Sequence, residues 1–245
     1  MSVRPAVARR LFYRQRRWIF PAMVTLAALA GFVDVAVIAL AGLPVSHMSG
    51  SVARVASDAA AHDLVDLWRV ARVILAFLLG AMVSGLVIGL SRVLPGRRYG
   101  AVLLLEAAAL AGAVWLLGNQ RPALGAALAA FACGLQNGMV NGFYGVILRT
   151  THLSGILTDL GVMLGHRLRG GTIAWWRIGL LASIVGGFVA GGVGGAVAVH
   201  RLGAESLLIP ALACFGLGGA FTGWLWWQHP ARRGQRDPVP ATFLS

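Results

Sequence analysis

The chain has 245 residues, 58 % of them apolar and only 12 % charged, with a mean hydropathy of +0.77. Soluble globular proteins carry roughly 45–50 % apolar and about 25 % charged residues, so a disordered chain, a collagen-like repeat and an ordinary soluble enzyme are excluded in favour of a polytopic membrane protein. The net charge is +13, and all 21 basic residues are arginine.

The chain opens on a basic tail, residues 1–17, holding Arg4, Arg9, Arg10, Arg14, Arg16 and Arg17. Such a tail can bind nucleic acid through counterion release. No recognition motif accompanies it, and an apolar run starts directly after it, so orientation in a bilayer is the simpler reading. A cleavable leader, with Ala28-Leu29-Ala30 as the small-residue site, is disfavoured because the first run belongs to an internal repeat.

A helix needs about 20 apolar residues to cross the hydrocarbon. Six runs qualify or nearly so: 18–43, 70–94, 101–117, 123–148, 178–199 and 207–227. With the tail in the cytoplasm, the arginines of the connections fall on one side. Arg92, Arg97 and Arg98 lie between runs two and three, and Arg149, Arg167, Arg169 and Arg177 between four and five; Arg232, Arg233 and Arg236 close the chain. The opposite connections are neutral or acidic, with Asp58, Asp63 and Asp66 against Arg54 and Arg69. The positive-inside bias therefore places both termini in the cytoplasm. Trp224, Trp226 and Trp227 form an inner aromatic belt with Trp18, and residues 228–245 read as a flexible tail.

Two halves, 18–121 and 122–227, resemble each other. Ser46-His47-Met48-Ser49-Gly50 follows run one, and Thr151-His152-Leu153-Ser154-Gly155 follows run four. Upstream, Gly31 and Asp34 match Gly134 and Asn137. Downstream, small residues recur every fourth position, Ala81, Gly85 and Gly89 against Gly187, Gly191 and Gly195. An amphipathic stretch follows each break. Three runs per unit is an odd number, so the second copy enters the membrane upside down. The expected fold is all-α, six transmembrane helices as two inverted three-helix repeats with broken polar segments, as in secondary transporters.

The same residues resemble the YoaK-like bacterial membrane proteins, a domain of unknown function (DUF1275). The family pattern of Gly-aromatic-x-Asp is met by Gly31, Phe32 and Asp34. Its Thr-Gly-Asn becomes Ser49, Gly50 and Ser51 here, a departure that removes the amide. Gly134, Gln136 and Asn137, then Thr150, Thr151, Ser154 and Gly155, match the second half. The resemblance covers about residues 18–227 and implies six spans in a bacterial inner (cell) membrane; it implies no substrate.

Asp34 lies about 24 Å along a helix from Trp18, well inside the bilayer. Low dielectric disfavours a bare carboxylate there, which makes Asp34 a candidate proton carrier or a hydrogen-bonded structural residue. Glu106, about 12 Å into run three, is a second proton site or the partner of an arginine. Gln136, Asn137 and Asn141 form an amide cluster that contacts solute or bonds neighbouring helices. At the breaks, Ser49 and Ser154 can cap a following helix whose free N–H groups suit an anion, with His47 and His152 beside them. Cys133 and Cys214 read as packing residues, no Cys/His spacing suggests a metal, and no cofactor or catalytic motif is present. The glycine ladders pack the halves together or build a homodimer seam. The leading expectation is a small secondary transporter or permease for a small polar or anionic solute, proton-coupled through Asp34. The alternative is a non-transporting membrane scaffold or sensor, and an enzyme is not expected.

Overall fold

A computed structural model describes residues 5–88, 97–140 and 150–228, with the side chains of 5–19, 97, 225, 226 and 228 excepted. Among these residues there are eight α-helices and no strand: α1 (Pro5–Ala41), α2 (Met48–Ala60), α3 (Leu64–Ile88), α4 (Arg97–Gly118), α5 (Pro122–Val140), α6 (Leu153–Leu168), α7 (Trp175–Leu202) and α8 (Leu208–Gln228). A short 3-10 turn, Gly203–Leu207, joins the last two. Five stretches are long and apolar enough to cross a membrane: Phe20–Ala41, Leu64–Ile88, Arg98–Gly118, Pro122–Val140 and Trp175–Trp224, the last holding α7 and most of α8.

Local chemistry sets the ends. α1 stops at Ala41 because Gly42 takes a left-handed conformation (φ +70) and Pro44 follows, which cannot continue a helix. α3 begins at Leu64, six residues before the apolar run predicts. Its first turn holds Asp66, whose backbone N–H is accepted by the Asp63 side chain at 3.1 Å. Asp66 also accepts from Arg54 at 2.9 Å and from Arg69 at 3.1 Å, so charge that looks unfit for a spanning helix is satisfied at its end.

α1 packs on α7 and α3 on α5, both as parallel pairs. Along the first seam Gly187 faces Val24, Gly191 faces Ala28 and Gly195 faces Phe32; Gly31 abuts the Phe188 carbonyl. Along the second, Gly80 abuts the Phe131 carbonyl and Gly134 the Phe77 carbonyl. A Cβ at Gly31, Gly80, Gly134 or Gly191 would collide with backbone, so these positions need glycine for close approach. The two seams thus make the same kind of contact, one through Phe77 and Gly80 and the other through Phe188 and Gly191. This corrects the glycine register read from the sequence. Gly85 has nothing within 4 Å of a built Cβ, so it is no counterpart of Gly191, and Gly89 lies outside the described residues.

α4 runs antiparallel to both α5 and α8: Gly112 meets Leu128 and Gly125 meets Leu117, while Gly100 meets Thr222 and Gly218 meets Leu103. Two apolar clusters fill the ends of the bundle. One joins Met23, Val102, Leu135, Leu180 and Ile184. The other joins Val37, Val73, Leu110, Ala129 and Leu207. Exposed apolar side chains such as Leu78, Leu86, Val193 and Leu212 ring the outside, as a lipid-facing surface requires.

Candidate functional site

The site is built around the link from α1 to α2. Asp34, in the last third of α1, is 2 % exposed. Its Oδ1 accepts the backbone N–H groups of Val45 at 2.9 Å and Ser46 at 2.8 Å. Its Oδ2 lies 2.9 Å from His47 Nδ1. The chain leaves α1, turns at Gly42 and is drawn back so that residues 45–47 wrap one carboxyl group. Ser46 Oγ is also 3.2 Å from His47 Nδ1, and the imidazole stands edge-on to the Phe188 ring of α7 at 5.5 Å. His47 remains 38 % exposed, so one end of the pair is buried and the other reaches the surface. The hydrogen bond to Asp34 raises the His47 pKa above the usual imidazole value; burial opposes the rise and the carboxylate charge adds to it.

The corresponding link after α5 uses neutral groups. Thr151 Oγ1 donates to Asn137 Oδ1 at 2.8 Å, and Asn137 Nδ2 donates to the Cys133 carbonyl at 3.0 Å. Gln136 is 2 % exposed, and its Nε2 donates to the Leu26 carbonyl of α1 at 2.8 Å and to Thr150 Oγ1 at 3.2 Å. Asp34 with His47 and Asn137 with Thr151 thus hold the two breaks by the same means. Gln136 ties α5 to α1.

Other expected site residues fall elsewhere. Ser49 and Ser154 are exposed and lie inside the first turns of α2 and α6. The N-cap positions are His47 and His152, neither of which makes a side-chain cap bond, so the expected serine capping is corrected. His152 is exposed, and its ring lies over Gly155 rather than reaching Asn137. Asn141 lies outside the described residues. Glu106 is 3 % exposed and accepts a hydrogen bond from the Cys214 thiol, while its Oε2 has no partner. No ion pair joins it to an arginine among the described residues; Arg92 and the side chain of Arg97 lie outside them. Cys133 and Cys214 are free and buried. Among the described residues no three His, Cys, Asp or Glu side chains converge as metal ligands. The sequence reading missed Ser46, Thr150, Thr151 and Phe188 as participants; the first three were legible as hydroxyls at the breaks, the last only through the packing of α7.

An all-helical chain with several apolar helices of membrane-crossing length and hydrogen-bonded breaks between them defines the class. Within it, the chain belongs to the DUF1275 family of proteins of unknown function, whose family model matches residues 22–229. No curated protein and no solved structure matches the chain.

Proposed function

We propose that the protein is a small secondary transporter or permease for a small polar or anionic solute, coupled to protons through Asp34. It crosses a bacterial inner membrane six times as two inverted halves, with both termini in the cytoplasm. The observation that carries this reading is the Asp34–His47 pair, in which a carboxylate buried in an apolar helix meets a half-exposed imidazole at 2.9 Å. A proton taken up at the far ring nitrogen lets Nδ1 pass its own proton to Oδ2, so charge reaches the buried carboxyl without a bare ion crossing. Oδ1 stays bound to Val45 and Ser46, so a change at Oδ2 is felt by the break itself.

The duplicated seams support the inverted arrangement. α1 on α7 and α3 on α5 are the same kind of parallel crossing with the halves exchanged, and α4 meets α8 head to tail. Binding of solute between the halves falls to Gln136 and Asn137, in the manner of transporters with broken helices.

A second reading, a non-transporting scaffold or sensor, is favoured by one observation: Asp34 already accepts two backbone donors and an imidazole, as a purely structural residue does. The test is full-length protein in proteoliposomes with an imposed pH gradient and a panel of small polar and anionic metabolites. At least one solute is expected to dissipate the gradient, and Asp34→Asn to abolish this while the protein stays folded. If no solute moves and Asp34→Asn changes only the thermal midpoint, the scaffold reading replaces the transporter.

A further inference from the structure

The short helices after the two breaks differ in how their charges are met. On α2 and the start of α3, Arg54 pairs with Asp66 at 2.9 Å and with Asp58 at 3.9 Å, and Arg69 pairs with Asp66 at 3.1 Å. On α6 and the start of α7, Arg167, Arg169 and Arg177 are exposed, and among the described residues no carboxylate pairs with any of them. Asp159 is the only acidic residue from 153 to 177.

The apolar side of α6 is also only half covered. Ile156, Leu160 and Met163 pack into the bundle. Leu157, Leu164 and Leu168, on the adjoining face, are 56, 48 and 89 % exposed, and Trp175 across the turn is 63 % exposed. The turn between the helices is tight: Gly170 has φ +83, and Gly171 N–H donates to the His166 carbonyl at 3.0 Å. It therefore holds leucines, a tryptophan and exposed arginines on one short stretch. Arg177, in the first turn of α7, sits where a helix dipole disfavours a cation, so an outside anion would relieve it.

We propose that this α6–α7 corner is a docking surface for the anionic phospholipids of one leaflet. Leu157, Leu164, Leu168 and Trp175 enter the acyl boundary, while Arg167, Arg169 and Arg177 hold headgroup phosphates. Charge complementarity selects this occupant: the uncovered apolar strip alone would accept any lipid, but three guanidinium groups beside it, paired with no carboxylate among the described residues, select a phosphodiester with net negative charge. The α2 corner, whose Arg54 and Arg69 are already paired, lacks that preference. The inference is independent of whether the chain moves a solute.

The experiment uses full-length protein in neutral detergent micelles, titrated separately with phosphatidylglycerol, phosphatidylcholine and inorganic phosphate while the unfolding midpoint is followed. Phosphatidylglycerol is expected to raise the midpoint, and the other two to leave it unchanged. The triple variant Arg167→Gln, Arg169→Gln, Arg177→Gln should weaken the apparent phosphatidylglycerol affinity about 100-fold, taking about fivefold per arginine near an anionic surface. Arg121→Gln, on a different connection, should leave it unchanged. Should the triple variant not fold, the wild-type response must still decline as salt is raised. Equal stabilisation by phosphatidylcholine, a response to free phosphate, an Arg121→Gln loss as large as the triple variant's, or a salt-insensitive response would each overturn the proposal.

Discussion

After α1, a carboxylate gathers two backbone N–H groups and an imidazole; after α5, an amide takes one threonine hydroxyl and gives its own N–H to the carbonyl one turn back. The geometric task is shared, since in each case a polar residue late in an apolar helix anchors the segment that starts the next short helix. The charge is not shared. One break is anchored by a carboxylate bonded to an imidazole, a pair that can exchange a proton, and the other by an amide and a hydroxyl, which do not titrate in the usual pH range. The two breaks therefore differ in chemistry while the packing around them, with its glycine contacts, is alike.

The packing side of this comparison is broken most severely at the seams. Gly31→Ala and Gly134→Ala each push a methyl group into a backbone carbonyl of the neighbouring helix, and each should lower stability by about 3 kcal/mol or prevent folding. Gly85→Ala meets open space and should gain about 0.5–1 kcal/mol from helix propensity. Yield and thermal midpoint of the three variants read this directly, and a strong difference between the first two would end the equivalence of the seams.

The chemical side is sharpened by exchanging the anchors. Asn137→Asp places a carboxylate where, among the described residues, Thr151 is the one side-chain donor to its oxygen, and should cost about 2.5–3.5 kcal/mol. Asp34→Asn keeps an oxygen for the Val45 and Ser46 N–H groups and should cost less, about 1 kcal/mol. Thermal unfolding that ranks the two in the opposite order would show that the second break tolerates charge as well as the first.

The smallest effect is a pH slope. Because the Asp34 hydrogen bond raises the His47 pKa on folding, its stabilisation is fully present below the unfolded value near 6.5 and is lost as pH rises through the higher folded value. The midpoint of wild-type protein should therefore decline as pH climbs above about 6.5, and His47→Gln should flatten that decline.

Much of the helical layout is legible in the sequence, because a run of apolar residues as long as the bilayer is thick has few other structures open to it. The start of α3 is not. Asp66 and Arg69 look excluded from an apolar helix until Arg54, twelve residues upstream of Asp66, is seen to pair with it. The glycine register is hidden for another reason. Small residues at every fourth position fit several alignments equally well, and only the backbone contacts show that Gly80, like Gly191 and unlike Gly85, abuts a neighbouring carbonyl. Asp34 and His47 are both conspicuous as polar residues, yet their contact depends on the turn at Gly42 bringing the chain back over the helix it has just left. Glu106 shows the limit of reading charge by attraction alone: among the described residues its partner is a cysteine thiol.

The crossed seams also constrain how the molecule is made. α1 finds its partner in α7, so the groove around Gly31 stays unfilled while the ribosome adds every residue up to Phe188. At about 5–20 residues per second, that is a wait of roughly 10–30 s. During synthesis the early helices are thus inserted but unmated, open to chaperones, to proteases or to the same surface on another nascent copy. A chain cut between α4 and α5 would leave both seams without one wall.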